Sequence, residues 1–186
     1  MSELTKRILS SIILLPLVLY FTLKGSLYLK LLIVICFLTS FYEWHRMVKK
    51  KIFKLSGFIF LFFSFYTFYE LSIKSLILIP FFICIFTDIG GFVFGNIFKG
   101  PKLIKISPNK TYSGMIGSYF LSILFILLYF NEINRETTLT WITITVVISS
   151  VSQIGDIIIS YFKRLSKLKN TGSIIPGHGG ILDRID

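Results

Sequence analysis

The chain has 186 residues, of which 54% are hydrophobic and only 16% charged, and its formal net charge at pH 7 is +11. A soluble domain carries about 25% charged residues, so this composition excludes an ordinary water-soluble protein and indicates an integral membrane protein. Cys36 and Cys84 each lie in an apolar segment, so the cysteines provide neither a disulfide framework nor a spacing of metal ligands.

Long apolar segments predict an all-α fold, a polytopic transmembrane helical bundle of about six spans. In chain order the predicted spans are Ile8–Leu23, Leu27–Trp44, Ile52–Tyr69, Ser75–Thr87, Tyr112–Phe130 and Thr138–Phe162. The first is predicted to stay uncleaved, because no small-residue cleavage site follows it and another apolar segment does. A seventh helix is expected to begin near Ile181.

The basic residues predict an orientation with the N-terminus in the cytoplasm. Of the 20 lysines and arginines, all but four then fall in inner segments; the exceptions are Lys24, Lys30, Lys74 and Arg135. This is the distribution that the positive-inside rule describes. Topology and attraction to anionic lipids therefore explain the net charge, and no nucleic-acid partner is needed.

The four aspartates all lie in glycine-containing segments, at or near predicted cytoplasmic ends of spans. An aspartate inside the bilayer costs about 2.5–3.5 kcal/mol, so it usually faces a partner or a water-filled cavity. One face of the sixth predicted helix carries a carboxylate, a hydroxyl and two ammonium groups, those of Asp156, Ser160, Lys163 and Lys167. This face suits a cation and phosphates, but it equally suits an interfacial acid–base pair that ends a long helix.

A glycine-rich segment follows that helix. Gly177, Gly179 and Gly180 surround His178, so backbone N–H groups can approach an anion closely. Two aspartates come next, Asp183 and Asp186, spaced three apart on one helical face. Mg²⁺ is usually held by one or two carboxylates together with substrate phosphates. The segment therefore predicts a site for a divalent cation and phosphates.

Two blocks of the chain resemble the phosphatidate cytidylyltransferase family (CDP-diacylglycerol synthases). The first block is Ser160-Tyr-Phe-Lys-Arg164, Gly172 and then the run from Ile175 to Asp186, which resembles the family signature. In the second, Asp88-Ile-Gly-Gly-Phe92 resembles the family's aspartate loop, and Ser107-Pro-Asn-Lys-Thr111 resembles its Ser-Pro-x-Lys-Thr element. The resemblance therefore suggests N-terminal transmembrane helices over residues 1–86 and a catalytic region with cytoplasmic-side loops over 87–186.

The resemblance implies a reaction of CTP with phosphatidate that gives CDP-diacylglycerol and pyrophosphate in phospholipid biosynthesis. It implies Mg²⁺, in a pair of metal ions of which one could be monovalent, and it allows a homodimer. The expected location is a bacterial inner (cytoplasmic) membrane, among membrane lipids, with the active site facing the cytoplasm.

The resemblance also implies roles for individual residues. Asp156 and Asp183 correspond to the metal ligands, and they form the expected catalytic set with Lys163 and His178. For His178, binding or loop shaping is favoured over proton transfer, because a phosphate monoester is already ionised near neutral pH. The expected substrate-binding residues are Asp88, Ser107, Lys110, Thr111, Ser160, Arg164, Gly179, Gly180, Arg184 and Asp186.

The chain departs from the family pattern at three points. Asn170 stands where the family usually has aspartate, which removes a charge from the expected metal region. Ser113 stands where an acidic residue is common. The family also continues into a further hydrophobic helix after the position of Asp186, so the chain looks like a shortened form whose activity is expected to be impaired.

Three alternative functions would also fit a membrane protein of this composition. A CTP-dependent polyprenol or lipid kinase would share the membrane fold but transfer the γ-phosphoryl group. A CDP-alcohol phosphotransferase would need a multi-aspartate helix motif that the sequence lacks. A non-enzymatic transporter would predict acids near mid-span and repeated halves, whereas the acids here are predicted to cluster on one side.

Overall fold

The computed structural model describes residues 3–73, 77–104, 107–130, 135–175, 177 and 179–185. The chain forms two compact units. The first unit comprises Met1–Leu76 and Phe162–Asp186, and the second comprises Ile77–Tyr161. Helices dominate the described part of both units, and one short β-hairpin interrupts them.

The first unit contains α1 (Glu3–Lys24), α2 (Ser26–Met47), α3 (Lys51–Ile73) and α7 (Leu182–Ile185). Aromatic side chains dominate the packing of α2 against α3. The rings of Phe41 and Phe58 stack with their centroids 4.0 Å apart, and Gly57 leaves the space that the Trp44 indole fills. The end of α2 is also tied to the segment after α6, because Ser166 Oγ donates a 2.6 Å hydrogen bond to the Met47 carbonyl.

The second unit contains α4 (Leu78–Phe98), β1 (Lys102–Ile104), β2 (Ser107–Thr111), α5 (Tyr112–Tyr129) and most of α6 (Arg135–Leu165). The two strands pair antiparallel, with Lys102 opposite Thr111, and form the connection between α4 and α5. The hairpin was not predicted from the sequence.

Close contact between α4 and α5 depends on small residues. A Cβ atom at Gly90 would collide with the backbone carbonyl of Gly117 and lie 2.9 Å from Ser118 Cα. Ser118 Oγ donates a 2.7 Å hydrogen bond to the Thr87 carbonyl, and Thr87 Oγ1 donates one of 3.0 Å to Ser149 Oγ on α6. Small and hydroxyl residues of this kind let transmembrane helices approach each other closely.

Within the described part of the chain, five helices are long and apolar enough to cross a membrane, over Leu27–Met47, Lys51–Ser72, Leu78–Phe98, Tyr112–Tyr129 and Thr137–Leu165. The predicted polytopic helical membrane fold is therefore confirmed, and α7 begins where the seventh helix was expected. In α1 the apolar stretch, Ile12–Thr22, is shorter. The count of six spans and the cytoplasmic N-terminus stay predictions.

The predicted end of the fourth span at Thr87, with Asp88 in a loop, is wrong. Helix α4 continues to Phe98, and Asp88 lies ten residues from either end of it. Aspartate and paired glycines are weak helix formers, which favoured a loop in the sequence. In the structure the glycines instead allow α5 to pack on α4, and this packing outweighs the local preference.

Gly90→Ala is expected to lower the free energy of unfolding by about 1–3 kcal/mol, because the added methyl group would collide with backbone atoms of α5. Gly95→Ala is the matched control, since a Cβ there would lie 3.2 Å from Thr111 Oγ1 and 3.6 Å from Gly114 Cα. Thermal unfolding in detergent measures both variants. Equal stability of the two would contradict the close-packing argument.

Candidate active site

An ion pair in the second unit joins two of the predicted site residues. Lys110 Nζ lies 2.5 Å from Asp156 Oδ2, so the end of the β-hairpin contacts α6. Asp88 on α4 interacts electrostatically with both side chains. These three residues, Asp88, Lys110 and Asp156, are called the carboxylate–lysine cluster below.

The side chains of the carboxylate–lysine cluster are only partly covered by the rest of the protein. The side chains of Lys110 and Asp156 are 23% and 43% exposed, and Asp88 is exposed as well. Two carboxylates near one ammonium group leave an excess of negative charge and of oxygen ligands, which suits a hard divalent cation. An acid in the middle of an apolar helix such as α4 also points to a functional site.

The local fold explains how Lys110 reaches this cluster. Thr111, the next residue, caps α5, because its side chain accepts a 3.1 Å hydrogen bond from the Gly114 N–H. Its hydroxyl also lies 3.0 Å from Ser113 Oγ, and Ser113 donates to the Lys99 carbonyl. Thr111 therefore has a structural role, while the substrate-binding role expected for it and for Ser107 in β2 stays a prediction.

Asp183 in the first unit is surrounded by hydrogen-bond donors. Lys163 Nζ donates to its Oδ1 at 2.8 Å. Its Oδ2 accepts from the Thr171 N–H at 2.8 Å and from the Gly180 N–H at 3.0 Å, and it lies 3.0 Å from Thr171 Oγ1. Asp183 thus binds both ends of residues 171–180, which are called the signature loop below.

The charge state of Asp183 follows from these contacts. Burial by itself would raise the pKa of the carboxyl, since the side chain is only 7% exposed. The hydrogen bond from Lys163, those from the Gly180 and Thr171 N–H groups and the positive charge of Lys163 outweigh burial, so the pKa lies below its ordinary value. Asp183 is therefore ionised at neutral pH, and it anchors the signature loop.

Gly179 and Gly180 were expected to bind substrate, and the structure gives them a packing role. Gly179 has a φ of +93°, in the left-handed region, and a Cβ there would lie 2.8 Å from Asp183 Oδ2. A Cβ at Gly180 would collide with Thr171 Oγ1 and with Glu43 Oε2. Both positions therefore require glycine for the loop to close on its carboxylates.

Glu43 on α2 was missed in the sequence, although it contacts the signature loop region. It is 1% exposed. Its Oε1 accepts from the Ile181 N–H at 3.0 Å, and its Oε2 accepts from the Leu182 N–H at 2.9 Å and from Thr171 Oγ1 at 2.8 Å. A carboxylate one residue before the predicted end of the second span was the signal that could have identified it.

Three further predicted residues lie on α6 and α7. Ser160 is half-buried on α6, while Arg164 and Arg184 are exposed near the ends of α6 and α7. His178 and Asp186 lie outside the described residues. Among the described residues, no group of three or more histidine, cysteine, aspartate or glutamate side chains could hold a metal ion.

The structure thus assembles the predicted residues into two groups. The second unit brings Asp88, Lys110 and Asp156 together, and the first brings together Lys163, Gly179, Gly180 and Asp183. Asp156 and Asp183 belong to different units, so their joint binding of a metal ion stays a prediction.

The fold and these two groups define a polytopic membrane protein whose carboxylates and lysines are suited to cations and phosphates. The model of the Cytidylyltransferase family matches residues 5–77 and 59–186. The chain therefore belongs to the Cytidylyltransferase family.

Curated relatives from staphylococci are named phosphatidate cytidylyltransferase. The Staphylococcus aureus (strain COL) protein is 42% identical over 130 residues, which cover 66% of this chain and 49% of that protein. The Staphylococcus haemolyticus protein is 41% identical over 113 residues, which cover 59% of this chain and 43% of that protein. The chain spans about half the length of the curated relatives it matches, and no solved structure gives a significant match.

Proposed function

We propose that the protein transfers the cytidylyl group of CTP to phosphatidate and so makes CDP-diacylglycerol and pyrophosphate for phospholipid biosynthesis. The observation that carries the proposal is the 42% identity over 130 residues to a relative named phosphatidate cytidylyltransferase. The carboxylate–lysine cluster adds support, since it combines an accessible ammonium group with carboxylates in a membrane-embedded unit.

The proposed reaction requires alignment and charge neutralisation rather than a covalent catalyst. A phosphate oxygen of phosphatidate forms a bond to the α-phosphorus of CTP. The bond between the α-phosphorus and the bridging oxygen of the β-phosphate breaks, and its electron pair leaves with pyrophosphate. No proton needs to move, because the attacking phosphate is already ionised near neutral pH.

Lys110 and Lys163 are the proposed partners of the phosphates. Each ammonium group now pairs with a carboxylate, so a bound phosphate would compete for it or share it. Lys110 is the more exposed of the two, which favours it for the first contact with substrate. Lys163 is 14% exposed and serves mainly to hold Asp183.

Mg²⁺ is the proposed cofactor, with Asp156 and Asp183 as its protein ligands. Asp156 suits this role, because its carboxylate is accessible and Asp88 lies near it. Asp183 suits it less well, since a cation would have to compete with Lys163 for Oδ1. Bound Mg²⁺ would supply positive charge to the triphosphate. A second ion and a homodimer stay predictions from the family resemblance.

Isotopic label distinguishes this function from the lipid kinase. The protein is incubated with phosphatidate and with CTP labelled at the α- or the γ-phosphorus; a version extended by a further helix is tested in parallel. We expect α label in the lipid and γ label in pyrophosphate. Transfer of γ label to a lipid alcohol would identify a kinase, and no transfer by either version would contradict both enzymes.

The protein is an integral membrane protein, and we place it in a bacterial cytoplasmic membrane with its active site facing the cytoplasm. The basic residues support this orientation. In a version lacking the native cysteines, single cysteines at positions 50, 102 and 167 are expected to react with an impermeant thiol reagent from one side of sealed vesicles. A cysteine at position 135 is expected to react from the other. Labelling of 102 and 167 from opposite sides would contradict the topology.

A further inference from the structure

Glu43 lies outside the two blocks that resemble the family, yet its carboxylate contacts the first of them, the block that runs from Ser160 to Asp186. Its two oxygens accept hydrogen bonds from two consecutive backbone N–H groups, those of Ile181 and Leu182, and from the Thr171 hydroxyl. These donors lie directly after the signature loop and near its start. One side chain on α2 therefore holds both ends of the loop.

Thr171 connects Glu43 to Asp183. Its Oγ1 lies 2.8 Å from Glu43 Oε2 and 3.0 Å from Asp183 Oδ2. Asp183 in turn binds Lys163, so the chain of contacts runs from α2 through the loop to the end of α6. A displacement of the Glu43 carboxylate would therefore act on the position of Asp183.

The signature loop packs tightly against the Glu43 side chain. A Cβ at Gly172 would lie 2.7 Å from Oε1, and one at Gly180 would collide with Oε2. If an added methyl group at either glycine displaced the Glu43 carboxylate, its hydrogen bonds to Thr171, Ile181 and Leu182 would break. The geometry of the loop and the position of the carboxylate are therefore mutually dependent.

We propose that Glu43 is a positioning residue for catalysis: it sets the geometry of the signature loop and, through Thr171, the position of Asp183. The proposal rests on the cytidylyltransferase function proposed above. Glu43 itself need not touch either substrate.

The first experiment replaces Glu43 with glutamine, which keeps the size of the side chain. An amide has one acceptor oxygen, so at least one of the N–H groups of Ile181 and Leu182 would face another donor. We expect kcat to fall about 10- to 100-fold, with the KM for CTP changed less than about threefold. Glu70→Gln removes a carboxylate from α3 in the same unit and should leave both constants unchanged.

A second measurement does not depend on activity. Hydrogen exchange at the amides of Ile181 and Leu182 is expected to be at least about tenfold faster in the Glu43→Gln protein and unchanged in Glu70→Gln. If wild-type protein shows no cytidylyl transfer, the proposed function fails while this measurement still tests the contact. Exchange at the wild-type rate in Glu43→Gln would overturn the proposal.

A double-mutant cycle adds a second test, and its Gly172→Ala arm, in which Glu43 is intact, covers the case in which Glu43→Gln does not fold. Gly172→Ala is expected to lower the melting temperature and kcat, because the methyl group would press on the Glu43 carboxylate. In a Glu43→Ala background the same change should have a much smaller effect, since the obstructing carboxylate is gone. Additive effects would overturn the proposal. So would a loss of activity that only matches the loss of folded protein.

Discussion

Asp156→Asn is expected to reduce the proposed Mg²⁺-dependent cytidylyl transfer by at least about 100-fold. Loss of a group that supports a metal ligand typically lowers metal affinity or activity 10- to 100-fold. Asp156 is proposed as a ligand itself, so the effect should be at least as large. The fold should survive, because the Lys110–Asp156 pair is partly exposed and asparagine keeps the size of the aspartate side chain.

The measurement is turnover as a function of Mg²⁺ concentration, with protein yield and melting temperature recorded for each variant. Glu70→Gln is the control, since it removes a carboxylate that lies outside both groups. Near-normal turnover with an unchanged response to Mg²⁺ would show that Asp156 is a structural carboxylate. Asp88→Asn in the same assay tests whether the neighbouring acid of the cluster contributes to the metal response.

Lys163→Met is expected to destabilise the protein by about 3 kcal/mol, which is the effect of leaving a buried charge without its partner. Asp183 is 7% exposed, and the methionine would remove the donor to Oδ1 while preserving most of the bulk. The Thr171 and Gly180 contacts would remain, so the protein should still fold. Thermal unfolding gives the magnitude.

Lys110→Met is the matched comparison, because it removes an ammonium group from the more accessible pair. Its melting temperature should stay close to that of the wild type, whereas its turnover should fall strongly if Lys110 binds phosphate. The opposite pattern, with Lys110→Met unstable and Lys163→Met stable, would reverse the roles assigned to the two pairs.

Much of the helical framework could be predicted from the sequence, because long apolar segments leave few alternatives to transmembrane helices. The predictions for α2, α3, α5 and α6 differ from the structure by only a few residues at each end. Local composition failed at Asp88-Ile-Gly-Gly91. There, contact with α5 decides that the chain continues as a helix, and one sequence carries no direct sign of that contact.

The candidate site was predictable only in part. Asp156 and Asp183 were identified because acids are rare in such a chain, and Lys110 through the family resemblance. Their ion pairs were not predictable from the sequence. Asp156 pairs with Lys110 and Asp183 with Lys163, and residues so far apart in the chain meet only when it folds. Glu43 was missed because a glutamate near the end of a span resembles an ordinary interfacial residue until its hydrogen bonds to Ile181 and Leu182 are seen.

The position of Asp88 in the middle of α4 has a consequence for the synthesis of the protein. During translation α4 enters the membrane before α6 exists, so Asp88 must be inserted without its later neighbour Asp156. An isolated aspartate at the centre of a span costs about 2.5–3.5 kcal/mol on insertion scales. Helix α4 is also the most hydrophobic of the five long helices, and this excess of apolar residues offsets the unfavourable step.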